Sequence, residues 1–176
     1  MKKILWSIII LFTFKLYSQE VILRREYVYT ENNLIYKIEN NQLFTGKIQN
    51  FNNRNHLLRE FEFIEGVLIK SKVYFYGKEK IVAGERFYFK NDRKVEKEIR
   101  YSKNHKKIRT EYYDESGNIK LEENFKDGVM IYSCPYNKNK KHGKVFFINN
   151  KGERSECFFE NGKLIKTEKN IPNSNS

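Results

Sequence analysis

The side chains best suited to chemistry in this chain are few and scattered. His56, His105 and His142 stand in NRNH, KNHKK and KKHGK, each in or beside a turn-forming stretch. A general base needs a positioned partner within hydrogen-bond reach. None of the three has a second His or a Cys near it in sequence, so no zinc spacing is present either. Ser116 in ESGN and Ser155 in RSEC lack the strand-to-helix elbow that activates a serine nucleophile. Two pairs of carboxylates remain. Glu122 and Glu123 are adjacent, and adjacent residues of a strand point to opposite faces. Glu96 and Glu98 share a face but lie among Lys94, Lys97 and Arg100, the pattern of an ion-pair surface. The residues therefore predict a non-enzyme with no catalytic side chain, no metal and no cofactor.

The elements that position these residues are legible in FIEGVLI (63–69), FKDGVMI (125–131) and FENGKLI (159–165). From Phe51 an aromatic recurs at Phe63, Phe75, Phe89, Tyr101, Tyr113, Phe125, Tyr136, Phe147 and Phe159, in steps of 11 to 14 residues. The third residue after each aromatic is Arg54, Gly66, Lys78, Asp92, Asn104, Ser116, Gly128, Asn139, Asn150 or Gly162. Most are Gly, Asn, Asp or Ser, which enter tight turns through positive φ or local hydrogen bonds. A strand that ends in an aromatic, a turn and a further strand every 12 or so residues make a β-meander. EFEF (60–63) and KEIRY (97–101) alternate as strands do, and no apolar stripe of helical period runs beyond ten residues outside the first twenty. The prediction is an all-β fold: an elongated single-layer antiparallel meander of stacked hairpin repeats, with ladder aromatics stacked along one face and charged residues on the other. Phe125, Phe147 and Phe159 are then stability positions.

A meander sends alternate turns to opposite edges. Lys78, Lys80, Lys103, Lys106 and Lys107 fall on one edge, and Lys138, Lys140 and Lys141 on the other. Same-edge turns lie roughly 10 Å apart, about one Debye length at 0.1 M salt, so the first five form a candidate anionic-surface patch. The alternative is that these lysines solubilise turns and protect strand edges. Cys134 and Cys157 each precede a ladder aromatic by two residues. That puts them two strands apart, roughly 9–10 Å, beyond the reach of a disulfide.

MKKILWSIIILFTFKLYSQE at the start has the charge, short apolar run and small residue of a secretory signal peptide, with cleavage expected after Ser18. An uncleaved anchor is the alternative. Residues 19–45 read as N-terminal capping strands, 46–168 as the hairpin repeats and 169–176 as a disordered tail. The formal charge is +12 for the whole chain. Loss of Lys2, Lys3 and Lys15 with residues 1–18 leaves a strongly basic protein. Export to the periplasm or beyond directs that charge to envelope surfaces or acidic proteins rather than to nucleic acid.

The aromatic-x-x-Gly-Lys phrases and YNKNKKHGKVFFINNKGERSECFFENGKL (136–164) resemble the MORN-repeat variant of bacterial YwqK-like proteins, often described as antitoxin components. The resemblance spans about 46–165 and departs where Asn104 and Asn139 stand for Gly. It implies a single elongated antiparallel sheet used for protein or membrane contact. The functional expectation is an exported, non-enzymatic interaction module, in the manner of an antitoxin or immunity protein, with an unknown protein partner. Envelope association through the basic turns, with an anionic membrane surface as partner, is the second reading, and an unrecognised hydrolase the last.

Overall fold

The computed structural model describes residues 22–90 and 93–171. The expected signal peptide, residues 1–18, lies outside them, as do residues 172–176. The elements in chain order are β1 (Ile22–Leu23), a 3-10 turn (Arg25–Tyr27), β2 (Val28–Glu31), β3 (Leu34–Lys37), β4 (Gly46–Phe51), β5 (Leu57–Ile64), β6 (Val67–Tyr74) and β7 (Val82–Tyr88). They continue with β8 (Val95–Tyr101), β9 (Lys107–Tyr113), β10 (Ile119–Lys126), β11 (Val129–Asn137), β12 (Lys140–Lys141), β13 (Gly143–Ile148), β14 (Arg154–Glu160) and β15 (Lys163–Ile171).

From β4 to β15 consecutive strands pair antiparallel in chain order, β12 being a short branch on β11, so the all-β meander is the fold. β1 adds a parallel partner to β4. Each ladder aromatic closes a strand or stands within a residue or two of its end: Tyr101 ends β8, Tyr113 ends β9 and Phe125 is the penultimate residue of β10.

Most of the turns are of two kinds, a distinction that the spacing alone conceals; the loops from Phe75 to Ile81 and from Phe89 to Lys94 are longer than either. Glu65-Gly66, Asp127-Gly128, Lys138-Asn139 and Asn161-Gly162 have positive φ at both residues, the type I′ geometry that matches strand twist. The other kind holds three residues and closes on a single left-handed one: Asn55, His105, Gly117 or Gly152. Here the side chain before the loop takes over part of the hydrogen bonding. Asn52 Oδ1 accepts from the backbone of Arg54 and His56, and Asn149 Oδ1 accepts from Lys151 and Glu153. The positive φ therefore falls after the third residue beyond the aromatic in these loops, on Asn55, His105 and Gly117 rather than on Arg54, Asn104 and Ser116.

The β2–β3 hairpin forms a separate two-stranded sheet laid over one face of the meander. Ile35 and Phe44 from this N-terminal stretch pack with Ile48 and Phe63 into the buried apolar cluster, flanked by Val28, Phe61 and Leu68. Gly66 locks the junction: its N–H donates to the Phe44 carbonyl and its own carbonyl accepts from Ile35 N–H. At φ +76° a side chain is already disfavoured, and a Cβ there would meet the Ile35 carbonyl oxygen at 2.9 Å.

The ladder aromatics do not stack along one face, which corrects the sequence expectation. Phe63, Tyr113, Tyr136 and Phe159 share the face that the hairpin covers, whereas Tyr101 and Phe125 lie on the open face, as the strand register requires. Consecutive strand ends lie at opposite edges, and same-edge ends are two strands apart, roughly 10 Å, beyond the 4.5–7 Å of ring contact. The rings take polar partners instead. Lys107 Nζ sits 3.8 Å from the Phe125 ring centre and Lys141 Nζ 5.4 Å from that of Phe159. Tyr101 donates to Glu85, Tyr113 to Glu111 and Tyr136 to Glu122. Phe147 is 41% exposed.

Candidate functional site

The five lysines of the predicted patch do reach one edge, where the turns at 52–56, 75–81, 102–106 and 127–128 line up. Lys78, Lys80 and Lys103 gather with Glu79 and Tyr76 around a depression of about 320 Å³. Arg54 hydrogen-bonds the Tyr76 hydroxyl, and the His56 ring meets Tyr76 edge-on at 5.1 Å, tying the first turn to the second. Lys106 and Lys107 are held differently: Lys106 pairs with Asp127 at 2.7 Å and Lys107 lies on Phe125. The patch thus divides into three lysines around one hollow and two tied to the next turn.

The hairpin face carries a more strongly built site. Beyond the hairpin's edge the sheet sinks into a furrow of two adjoining hollows, about 340 and 320 Å³, which share Arg59 and Phe61 as lining. The first has a floor of Val28, Ile35, Ile48, Phe63 and Leu68, with Arg25 and Arg93 at its margin. The second is framed by Arg59, Ser71, Arg86, Tyr88 and Arg100. Gly84 opens its floor: in the register it stands between Val73 and Arg100, where any other residue would place a side chain. Ser71 and Tyr88 hydroxyls bond each other at 2.9 Å across the furrow.

Arg86 and Arg100 are held by one carboxylate, Glu98, at 2.8 and 3.0 Å. The ion pairs continue along the same face: Arg100 reaches Glu111 at 3.9 Å, and Arg109 binds Glu111 at 2.7 Å and Glu122 at 3.3 Å. Glu98, Glu111 and Glu122 are direct register neighbours on β8, β9 and β10, so three carboxylates in a row are spaced by arginines. Burial pushes the Glu98 carboxyl up, but hydrogen bonds from Arg86 and Arg100 outweigh it and hold it below the usual range. A carboxyl so held is a poor general acid, which needs a raised pKa. The row is electrostatic scaffolding that fixes the guanidiniums. The guanidiniums of Arg25 and Arg59 have no hydrogen-bond or ion-pair partner among the described residues, and Arg93 donates to the Asn33 carbonyl while its Nε is buried without a partner there.

The open face has its own ion pairs. Glu60, buried on β5, accepts from Gln49 and faces Lys72. Glu85 binds Lys70 at 2.7 Å and accepts from Tyr101; burial raises its carboxyl, but these hydrogen bonds carry it below its usual value. Tyr101 is pushed up to about 12 by its burial and then by Glu85. Glu156, buried on β14, binds Lys144 and Arg154 at 2.6 and 2.9 Å.

The other sequence candidates are dispersed. His105 occupies a left-handed loop position, and His142 Nδ1 accepts from the Asn161 N–H at 3.5 Å. Ser116 is exposed in its loop and Ser155 lies on β14. Glu122 and Glu123 lie in adjacent register rows and so on opposite faces. Cys134 and Cys157 are both free thiols. β13 runs between their strands, with Val145 opposite Cys157. Sequence reasoning missed the furrow because Arg59, Arg86 and Arg100 are 14 or more residues apart and meet only through pairing. The available signal was Gly84, a lone glycine inside VAGERF, which marks a close approach or an opening in a strand.

No family model matches the chain, and no curated protein matches it. Among solved structures, the crystal structure of the GtfA/B complex bound to UDP and GlcNAc aligns at 10% identity and a TM-score of 0.36, over 81% of this chain and 23% of that one. The matched part is thus less than a quarter of that chain. Among the described residues no helix is long and apolar enough to cross a membrane.

Proposed function

We propose that the protein is an exported, non-enzymatic interaction module of the MORN-repeat, YwqK-like kind, whose sheet binds a protein partner in the manner of an antitoxin or immunity factor. The observation that supports this reading most is the surplus of guanidiniums on the hairpin face. Arg86 and Arg100 are held in place by Glu98, and the guanidiniums of Arg25 and Arg59 stand without partners among the described residues. Arginine presents a rigid fork of donors suited to carboxylates on another surface. Paired strands hold such side chains in register better than loops do.

The test is co-purification of the tagged full chain from its own cells, in 0.1 M and 0.5 M salt. A stoichiometric protein partner retained by the wild type and reduced by charge reversal on the hairpin face is the expected result. Recovery with anionic lipid alone, lost at high salt, would transfer the reading to envelope association. The meeting of Lys78, Lys80 and Lys103 around one hollow favours that second reading. Sequencing the neighbouring reading frames tests the antitoxin part separately, through the presence of a toxin-like neighbour.

A further inference from the structure

We propose that the furrow beside the β2–β3 hairpin is the partner site, and that it takes an extended acidic peptide segment anchored by an apolar residue. This rests on the interaction reading above and gives it a location and a chemistry. Charge complementarity carries it. On the hairpin face Arg25, Arg59, Arg86, Arg93 and Arg100 line the two hollows, and Glu98 is the carboxylate among them. Lys72 and Glu85 also border the furrow, but their charged ends are engaged across the open face by Glu60 and by Lys70 and Tyr101. Glu98 is shared by Arg86 and Arg100, Glu111 reaches only Arg100 of the five from the next strand, and Arg93 is bound to a neutral carbonyl. The guanidiniums therefore remain in excess and call for an anionic occupant, with the charges spread rather than focused on one point.

The spread selects the class of occupant. Arg59 is on β5, Arg86 on β7 and Arg100 on β8, so the guanidiniums extend across two to three strand spacings, roughly 10–14 Å. A fatty acid has one carboxylate and cannot satisfy such a row. An extended peptide advances roughly 3.3 Å per residue and covers that span in three to four residues. Alternate side chains face the sheet, so two acidic residues, two positions apart, would meet Arg59 and the Arg86/Arg100 pair in turn. The apolar end of the furrow, floored by Ile48, Phe63 and Leu68, would take a leucine-sized side chain preceding them. Arg59, shared by both hollows, stands where the apolar and acidic parts of the ligand join. The Ser71 and Tyr88 hydroxyls beside it bond each other and leave one O–H to donate to the peptide backbone.

The experiment uses the full chain and a fluorescein-labelled hexapeptide of two leucines followed by four acidic residues. Anisotropy should show saturable binding that weakens as salt is raised. Arg59→Ala and Arg25→Ala should each weaken it, Arg59→Ala by about tenfold. Both side chains are exposed, so neither change threatens the fold. Lys103→Glu, on the turn edge, should leave binding within about twofold. Equal binding by wild type and Arg59→Ala overturns the proposal, as does equal binding of a peptide in which the leucines are replaced by serine. Saturable binding of oleate or phosphatidylglycerol vesicles with no peptide binding overturns it in favour of a lipid. A co-purified partner that survives Arg25→Ala/Arg59→Ala, with no peptide binding, overturns the furrow and leaves the interaction module standing.

Discussion

The two ends of the sheet solve the same problem differently. Over β4, β5 and β6 the β2–β3 hairpin supplies a second layer, and Phe44, Ile48 and Phe63 are almost fully buried beneath it. From β8 to β15 the sheet has no such layer among the described residues, and its faces are held by arginine–carboxylate pairs, cation–π contacts and tyrosine hydrogen bonds. The repeat unit is the same in both regions. What differs is whether another element covers it. A strand face can exclude water only against something, and where nothing is supplied its side chains must satisfy one another laterally across strand pairs.

That comparison is most sharply tested at the covered end. Phe44→Ala should destabilise by about 3–5 kcal/mol in denaturant unfolding, because its side chain is fully buried. Gly66→Ala should also destabilise clearly, since it forces a side chain into a left-handed position and against the Ile35 carbonyl. The matching change at the uncovered end, Phe147→Ala, should cost far less than Phe44→Ala, about 1 kcal/mol, as the residue is 41% exposed. Equal losses at Phe44 and Phe147 would mean that the second layer does not set the core.

Next in size is the response to acid. Glu85 and Glu98 have carboxyls held below their usual value of 4.5 in the folded state, as does Glu156. Their contribution is therefore fully present above pH 4.5 and is lost as the pH falls below it. The melting temperature should drop on acidification, and Glu98→Gln should flatten part of that drop while costing about 1 kcal/mol at neutral pH. A pH-independent melting temperature between pH 3 and 7 would dispose of the electrostatic account of the uncovered sheet.

Alkaline titration reads the same lattice from its tyrosines. Burial first, and then neighbouring glutamates, push Tyr74, Tyr101 and Tyr113 from 10.0 to about 12. Because the folded state favours the protonated phenol, their contribution is present below pH 10 and is lost as the pH rises towards 12. Phenolate absorbance should thus appear later in the folded chain than in the urea-unfolded one. Coincident curves would show that these hydroxyls are not held by their carboxylates.

The smallest effect on stability is expected at the turn lysines. Charge reversal of Lys78, Lys80 and Lys103 should leave the melting temperature nearly unchanged, because all three are either solvated or set in a loop. Lys106 and Lys107 should cost slightly more, through Asp127 and Phe125. If vesicle binding falls in the first triple variant while folding is intact, the edge patch has a membrane role. Unchanged vesicle binding leaves the hairpin face as the site to pursue.

By itself the sequence determined the strands and their order. An aromatic at each strand end and a turn residue after it are local instructions, and a meander follows when each strand needs only its neighbour in the chain. It also determined that Cys134 and Cys157 belong to strands with another between them, because the count of turns is a local quantity. Tertiary structure decided the rest. Register bulges, such as the one between Arg100 and Tyr101, and the differing turn lengths set which face each side chain takes, and no single repeat records them. That is why the ladder aromatics divided between faces and why Glu98, Glu111 and Glu122 aligned across strands. The furrow depends on the hairpin folding back over β4–β6 and on Gly84 leaving its floor open, and its arginines meet through the register of successive strands, which no single repeat specifies.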